Sequence, residues 1–357
     1  MLRLLLLLST IVMVAILISK VGDVSTVSHE NRKEGNPPEV RSSMQFKAND
    51  TTLPLMPSRR PTSDPSKGFT LVIVSGQIRG GIHCWVTFKR YLLDYYGADL
   101  ALLKPQVKEN EESIYWERRA RYVLNVKEHE DWGQELTRIN HGDASWEILV
   151  RNTTSFLGLL GGVFGHTGSS GILLAYRYYA RYFLKEILQS QTYQWVVYVR
   201  SDYVYLCSPP HPLSLDRAKI YIPEGEGYGG FTDRFTILPV EKADLYFGMT
   251  EDLLSNSKFW YNNLLRKNCQ WKINLECFID SYLIRFSQHV ELFPHVAFTV
   301  RRDSDPTRWA EGGKNILFYH NFGLRLKYPP EFHAARNNCE PFKQFTMLNI
   351  STFLHNF

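Results

Sequence analysis

Apolar runs of strand length alternate with stretches of helical spacing from Phe69 onward. Phe69–Ser75 is a β-branched apolar run, the composition of a buried strand. After the Gly-rich turn Gly76–Gly81, the residues Trp85, Phe88, Leu92 and Tyr95 recur at helical spacing, and Gly97 is placed to end that helix. Ala98–Leu103 is a second strand candidate, Glu111–Leu124 has helical texture, and Leu173–Leu188 is a long aromatic-rich helix. That helix feeds Trp195–Arg200, another apolar strand run. Short strands are further predicted at Lys219–Ile222, Phe235–Leu238 and Val296–Val300. Helices are predicted at Glu241–Leu265, with an interruption, and at Leu275–Phe286. This alternation predicts an α/β domain whose sheet is largely parallel and flanked by helices.

The first 67 residues read differently. Behind a three-residue tail, Leu4–Ser19 is apolar except at Ser9 and Thr10, and Lys20 ends it. As a helix this run rises about 24 Å, against a bilayer core of ~30 Å. It reads either as a cleaved signal peptide or as an uncleaved signal anchor. The residues after Lys20 contain no small-residue cleavage pattern, which favours the anchor. Either way, residues 68–357 would lie in the secretory lumen, with the anchor making a single-pass type II protein of the Golgi or ER membrane. Residues 20–67 hold prolines at 37, 38, 54, 57, 61 and 65 and a single aromatic, Phe46. Such a stretch cannot bury enough apolar surface to order itself, and it reads as a solvated stem. Three glycosylation sequons, at Asn49, Asn152 and Asn349, agree with a lumenal chain.

Composition narrows the class. With 44% hydrophobic residues and five cysteines in 357 residues, the chain is neither wholly disordered nor a disulfide-dense miniature scaffold. The net charge of +5 comes without a Lys/Arg run, so a nucleic-acid partner is not indicated. A mild positive excess suits an anionic small ligand such as a sugar nucleotide, or an anionic glycan. In an oxidising lumen some of Cys84, Cys207, Cys269, Cys277 and Cys339 should pair and at least one is left over. Cys269 and Cys277 are near enough for a local bridge.

Four segments can carry chemistry. Gly76-Gln77-Ile78-Arg79 follows a buried strand and opens a helix, where backbone N–H groups and Arg79 favour a phosphate; the alternative is a Gly-rich turn with a solvated Arg. Arg200-Ser201-Asp202 ends another buried strand, where ligands of open α/β sheets bind. Asp202 there could bind a divalent ion, or pair with Arg200 to cap the strand. Gly229-Gly230 allows close backbone approach before Asp233, a base or sugar-hydroxyl acceptor, or half of a surface pair with Arg234. Glu276 and Asp280 share one helix face, as a catalytic carboxyl pair or as a polar helix start. Arg301, at a strand end, can meet an anion. His166 and His320 are lone histidines. No G-x-S-x-G, H-E-x-x-H or C-x-x-C occurs. A sulfotransferase is not indicated either, since Gly76–Gly81 has neither Lys nor Ser/Thr.

In their order and spacing these segments resemble a GT-A-type glycosyltransferase of the Golgi. More locally they resemble a set of GT-A-like proteins that share an opening Gly-Gln-x-Arg, an Arg-x-Asp strand end, an Asp-Arg-Phe element (here Asp233-Arg234-Phe235) and an Asn-x-Glu helix (here Asn274-Leu275-Glu276). The resemblance spans roughly Phe69 to Phe322. It implies a GT-A-like fold, a nucleotide-sugar donor and a glycan, glycoprotein or glycolipid acceptor. It implies that Gly76, Gln77, Arg79, Arg200, Gly230 and Arg301 hold the donor, and that Asp202 contacts Mn²⁺ or Mg²⁺. Asp233, Glu276 and Asp280 would serve catalysis. The second acidic residue of the usual Asp-x-Asp is missing here, since Val204 follows Tyr203. A degenerate, non-catalytic glycan-binding protein of the same fold is the alternative.

Overall fold

The computed structural model describes residues 69–106, 111–151, 162, 169–225, 227–267, 269, 273–302, 317–318 and 324–339. The Leu4–Ser19 run, the stem, the three sequon asparagines, His166 and His320 lie outside them. Among the described residues no helix is long and apolar enough to cross a membrane.

The central sheet comprises, among the described residues, seven strands in the order β3-β2-β1-β4-β7-β6-β8. They are β1 (Thr70–Ser75), β2 (Asp99–Pro105), β3 (Tyr122–Val126), β4 (Trp195–Val199), β6 (Lys219–Pro223), β7 (Phe235–Pro239) and β8 (His289–Phe293). Strands β3, β2, β1 and β4 are mutually parallel, and only β7 runs against its neighbours. The architecture is mixed α/β with a mostly parallel seven-stranded sheet flanked by helices, as the alternation of apolar runs predicts. The continuous apolar runs have a physical cause: both faces of the sheet are covered. In β1, Leu71 and Ile73 pack into one core while Val72 and Val74 pack into the other; in β4, Val196 and Tyr198 oppose Trp195, Val197 and Val199.

The first helix, α1 (Gly81–Phe88), continues through a wider π-helical turn at Lys89–Asp94 and ends at Gly97, whose φ of 59° is one that glycine adopts without strain. Residues 111–124 are not one helix. The helix α2 stops at Arg119, and Tyr122–Val126 extends to pair with β2. Helix α3 (Trp132–Ile139), capped by the Asp131 side chain accepting from the Gly133 N–H at 2.8 Å, was not predicted. The long helix α4 spans Ser169–Ser190. The predicted helix at 241–265 is three: α5 (Val240–Phe247), α6 (Met249–Ser255) and α7 (Ser257–Lys267). Helix α8 spans Leu275–Arg285, and α9 spans Pro329–Asn338.

A second, antiparallel sheet carries β5 (Tyr203–Tyr205), β9 (Ala297–Arg302), β10 (Leu317–Phe318) and β11 (Leu324–Leu326), in the order β10-β11-β9-β5. Two disulfides close the chain on itself. Cys269–Cys277 spans 8 residues and Cys207–Cys339 spans 132, while Cys84 is buried and belongs to neither bridge. By loop-closure entropy the longer bridge stabilises by about 5 kcal/mol and the shorter by about 2–3 kcal/mol.

Candidate functional site

Strand order reverses between β1 and β4, since β2 and β3 lie to one side of β1 and every later strand of the sheet to the other. The two chains leaving the carboxyl ends of β1 and β4 therefore diverge and leave a crevice, the place where open α/β sheets bind ligands. Gly76–Arg79 leaves β1 here and Arg200–Asp202 leaves β4. Ser201 joins them: its Oγ accepts the Arg79 backbone N–H at 3.1 Å and donates to the Gln77 carbonyl at 2.9 Å. Below, the Tyr198 hydroxyl donates to Ser75 Oγ at 2.9 Å. The Arg79 side chain is folded onto Gln77, with Nε donating to Oε1 at 2.8 Å.

Strand β7 brings the third segment. Because it is antiparallel to β4, its first residue, Phe235, lies opposite Val199. Asp233 and Arg234 precede β7 and so stand beside Arg200, whose N–H donates to the Arg234 carbonyl at 3.3 Å. The fourth segment is tied to the third. Asn274 caps α8 by accepting the Cys277 N–H at 2.7 Å, and its amide donates to the Tyr228 carbonyl at 3.1 Å. The Phe231 N–H donates to the Glu276 carbonyl at 3.1 Å. A Cβ at Gly230 would collide with that carbonyl and with the Cys277 nitrogen. Gly230→Ala is expected to displace the start of α8 and to cost about 1–3 kcal/mol. Urea unfolding checks this, and a midpoint equal to the parent's would show that the loop yields freely.

The second sheet brings the fifth contribution. The β5–β9 register pairs Tyr203 with Thr299, which sets Arg301 opposite Ser201 and beside Asp202. Arg301 Nη1 donates to Asp202 Oδ2. Arg200 holds the same carboxylate, with Nε at 3.2 Å from Oδ1 and Nη2 at 2.9 Å from Oδ2. Asp202 is 2% exposed. Burial alone would raise its pKa, but Arg200, Arg301 and Lys327 hold it far below the ordinary carboxylate range.

Lys327, Glu331 and Arg177 of this site were not singled out in the sequence, and Arg234 was named there as part of Asp-Arg-Phe and as half of a surface pair, whereas it is buried. Lys327 follows β11 and donates its N–H to the Thr299 carbonyl at 2.9 Å. Burial, together with Arg200, Arg301 and Arg234 around it, pushes its ammonium pKa well below the usual lysine value. Arg234, itself buried, pairs with Glu331 of α9 and lies 4.2 Å from the Tyr328 ring centre; the other Glu331 oxygen accepts the Thr299 N–H at 2.7 Å. Arg177, on α4 and 1% exposed, donates from Nη2 to the Asp233 carbonyl at 3.3 Å and has no hydrogen-bond partner for Nε or Nη1. The sequence signals were faint: a Lys-Tyr ahead of the Pro-Pro that opens α9, and an arginine on the core side of an aromatic helix.

Glu276 lies near enough to Asp233, Arg234 and Arg177 to feel the charge of each. Burial, then the Asp233 charge, pushes the Glu276 carboxyl up to about 8, while Arg234 and Arg177 pull it back. Such a group can exchange a proton near neutral pH. Asp280, one turn further along α8, is engaged elsewhere: it pairs with Lys267 at the end of α7. The structure thus gathers Gly76, Gln77, Arg79, Arg200, Asp202, Gly230, Asp233, Glu276 and Arg301 about one crevice and turns Asp280 to a neighbouring helix.

Among the described residues the lining of the crevice does not fit a divalent ion. Both Asp202 oxygens are occupied by guanidinium groups, in place of the free carboxylate the strand-end position suggested. No three His, Cys, Asp or Glu side chains among the described residues could surround an ion. The crevice is instead rich in guanidinium groups: Arg177, Arg200, Arg234 and Arg301 outnumber Asp202, Asp233 and Glu331, while burial and the Asp233 charge favour the neutral form of Glu276.

No family model and no curated protein sequence matches the chain. Among solved structures it is similar to mouse xyloside xylosyltransferase 1 in the apo form, with 10% sequence identity and a TM-score of 0.35, over 64% of this chain and 86% of that one. A likeness of that size carries no argument about this chain's activity.

Proposed function

We propose that this chain is a glycosyltransferase that moves a sugar from a nucleotide-sugar donor to a hydroxyl of a glycan, glycoprotein or glycolipid. One observation carries the reading: Gly-Gln-x-Arg, Arg-x-Asp, Asp-Arg-Phe and Asn-x-Glu, scattered over two hundred residues, meet at the strand-order switch point around a cationic crevice. The cations suit a donor diphosphate, whose departure builds up negative charge. Glu276 takes the proton of the attacking acceptor hydroxyl, and Asp233 lies where it can orient a sugar hydroxyl. Two disulfides agree with an oxidising compartment, and with a type II Golgi or ER protein anchored by Leu4–Ser19.

The test is thermal unfolding of the full chain with UDP, GDP or CMP. A ligand at 100 times its Kd stabilises by about 2.7 kcal/mol, a shift of several degrees for one nucleotide class. The occupied Asp202 favours one other reading, a glycan-binding protein that has lost the transfer step. A chain stabilised by glycans and by no nucleotide would establish that reading in place of the enzyme.

A further inference from the structure

We propose that the crevice takes the phosphate groups of its ligand on side-chain cations alone, with Lys327 as the group that meets them, and uses no divalent ion. The proposal rests on the nucleotide-sugar reading and deepens it. Three arginines of the cluster are anchored by carboxylates: Arg200 and Arg301 share Asp202, and Arg234 holds Glu331. Lys327 has no carboxylate within ion-pair distance among the described residues; its Nζ lies 4.8 Å from the Tyr328 ring centre, and Arg200, Arg301 and Arg234 are near enough to depress its ammonium pKa. Among the described residues no negative group pairs with it directly. A phosphate arriving between Lys327, Arg200 and Arg301 supplies that charge, and guanidinium forks match its oxygens.

Asp202 then has a different task from the one its place at a strand end suggests. It is a positioning residue that binds two guanidinium groups and fixes them at the mouth of the crevice. An ion competing for Asp202 would have to displace both arginines from a site 2% exposed, and would then stand among the cations that remain.

Isothermal titration of the full chain with UDP, GDP, CMP and inorganic pyrophosphate, once in EDTA and once in Mn²⁺, tests this. The same nucleotide should bind in both, with Kd values within about twofold, and Lys327→Met should weaken it at least about tenfold, one lost charge-assisted contact being worth ~1.5–3 kcal/mol. Without ligand, Lys327→Met should melt no lower than the parent, because it removes a cation surrounded by cations. Binding in Mn²⁺ but not in EDTA overturns the proposal and leaves the transferase reading standing. Undiminished binding by folded Lys327→Met also overturns it. A folded protein that binds no nucleotide in either condition overturns the transferase reading, and this proposal with it.

Discussion

Glu331→Ala is expected to destabilise the fold by about 3–5 kcal/mol, read as a lowered urea midpoint at unchanged slope. Glu331 is 2% exposed and uses both carboxylate oxygens, one on Arg234 and one on the Thr299 N–H. Alanine leaves Arg234, itself 3% exposed, among Arg200, Lys327 and the Tyr328 ring with no counter-charge but the more distant Asp233 at 3.8 Å. It also strands a buried backbone N–H of β9. The cost comes chiefly from the charge left behind. The paired replacement Arg234→Met with Glu331→Leu should therefore regain most of the loss. If the double variant is no more stable than Glu331→Ala, the damage lies in packing and the electrostatic account is wrong.

Glu276→Gln should lower turnover by about 10²–10⁴-fold, the usual worth of a placed acid–base group. The parent's kcat/KM should climb with pH and level off near 8, where burial and Asp233 place the Glu276 carboxyl. The glutamine variant should lose that limb, and a variant that keeps it would move the proton transfer to another group. Stability gives a second readout that needs no substrate. The folded pKa of about 8 lies above the ordinary glutamate value of 4.5 that applies once the chain unfolds. The folded state therefore binds the extra proton between those values, so stability is greatest below about 4.5 and falls as pH rises toward 8. Glu276→Gln should remove this part of the slope of melting temperature against pH.

The parts of the fold legible in the sequence are those whose environment is uniform along the chain. Strands β1 and β4 are apolar throughout because both of their faces are buried. Tyr122–Val126 follows a helix without a break signal and extends only because β2 offers it a parallel partner. β8, mostly exposed as His-Val-Glu-Leu-Phe, has no apolar run to betray it and is a strand through its pairing with β6. The same division runs through the crevice. Gly76–Arg79 and Arg200–Asp202 stand at strand ends and announce themselves locally. The partner of Asp202 is Arg301, 99 residues away, and the partner of Arg234 is Glu331, 97 residues away. Those pairings are set by the register of β5 on β9 and by the seat of α9, which no local pattern encodes. That is why the pairing of Asp202 with Arg200 could be weighed from the sequence as the alternative to a metal ion, while its second pairing, with Arg301, could not.

The span between Asp202 and Arg301 also bears on how the chain is made. A polypeptide emerging from the ribosome N-terminus first can assemble β1 to β4 long before Arg301 or Glu331 has been synthesised. Through that interval Asp202 has only Arg200, and Arg234 only its neighbour Asp233. The half of the domain that looks most complete as a sheet carries buried charges still waiting for their counter-ions. Cys207 waits as well, since its bridge partner is Cys339. Translational pausing between residues 202 and 301 should accordingly lengthen the time that chaperones hold the nascent chain, and release should coincide with arrival of the segment that carries Arg301, Glu331 and Cys339.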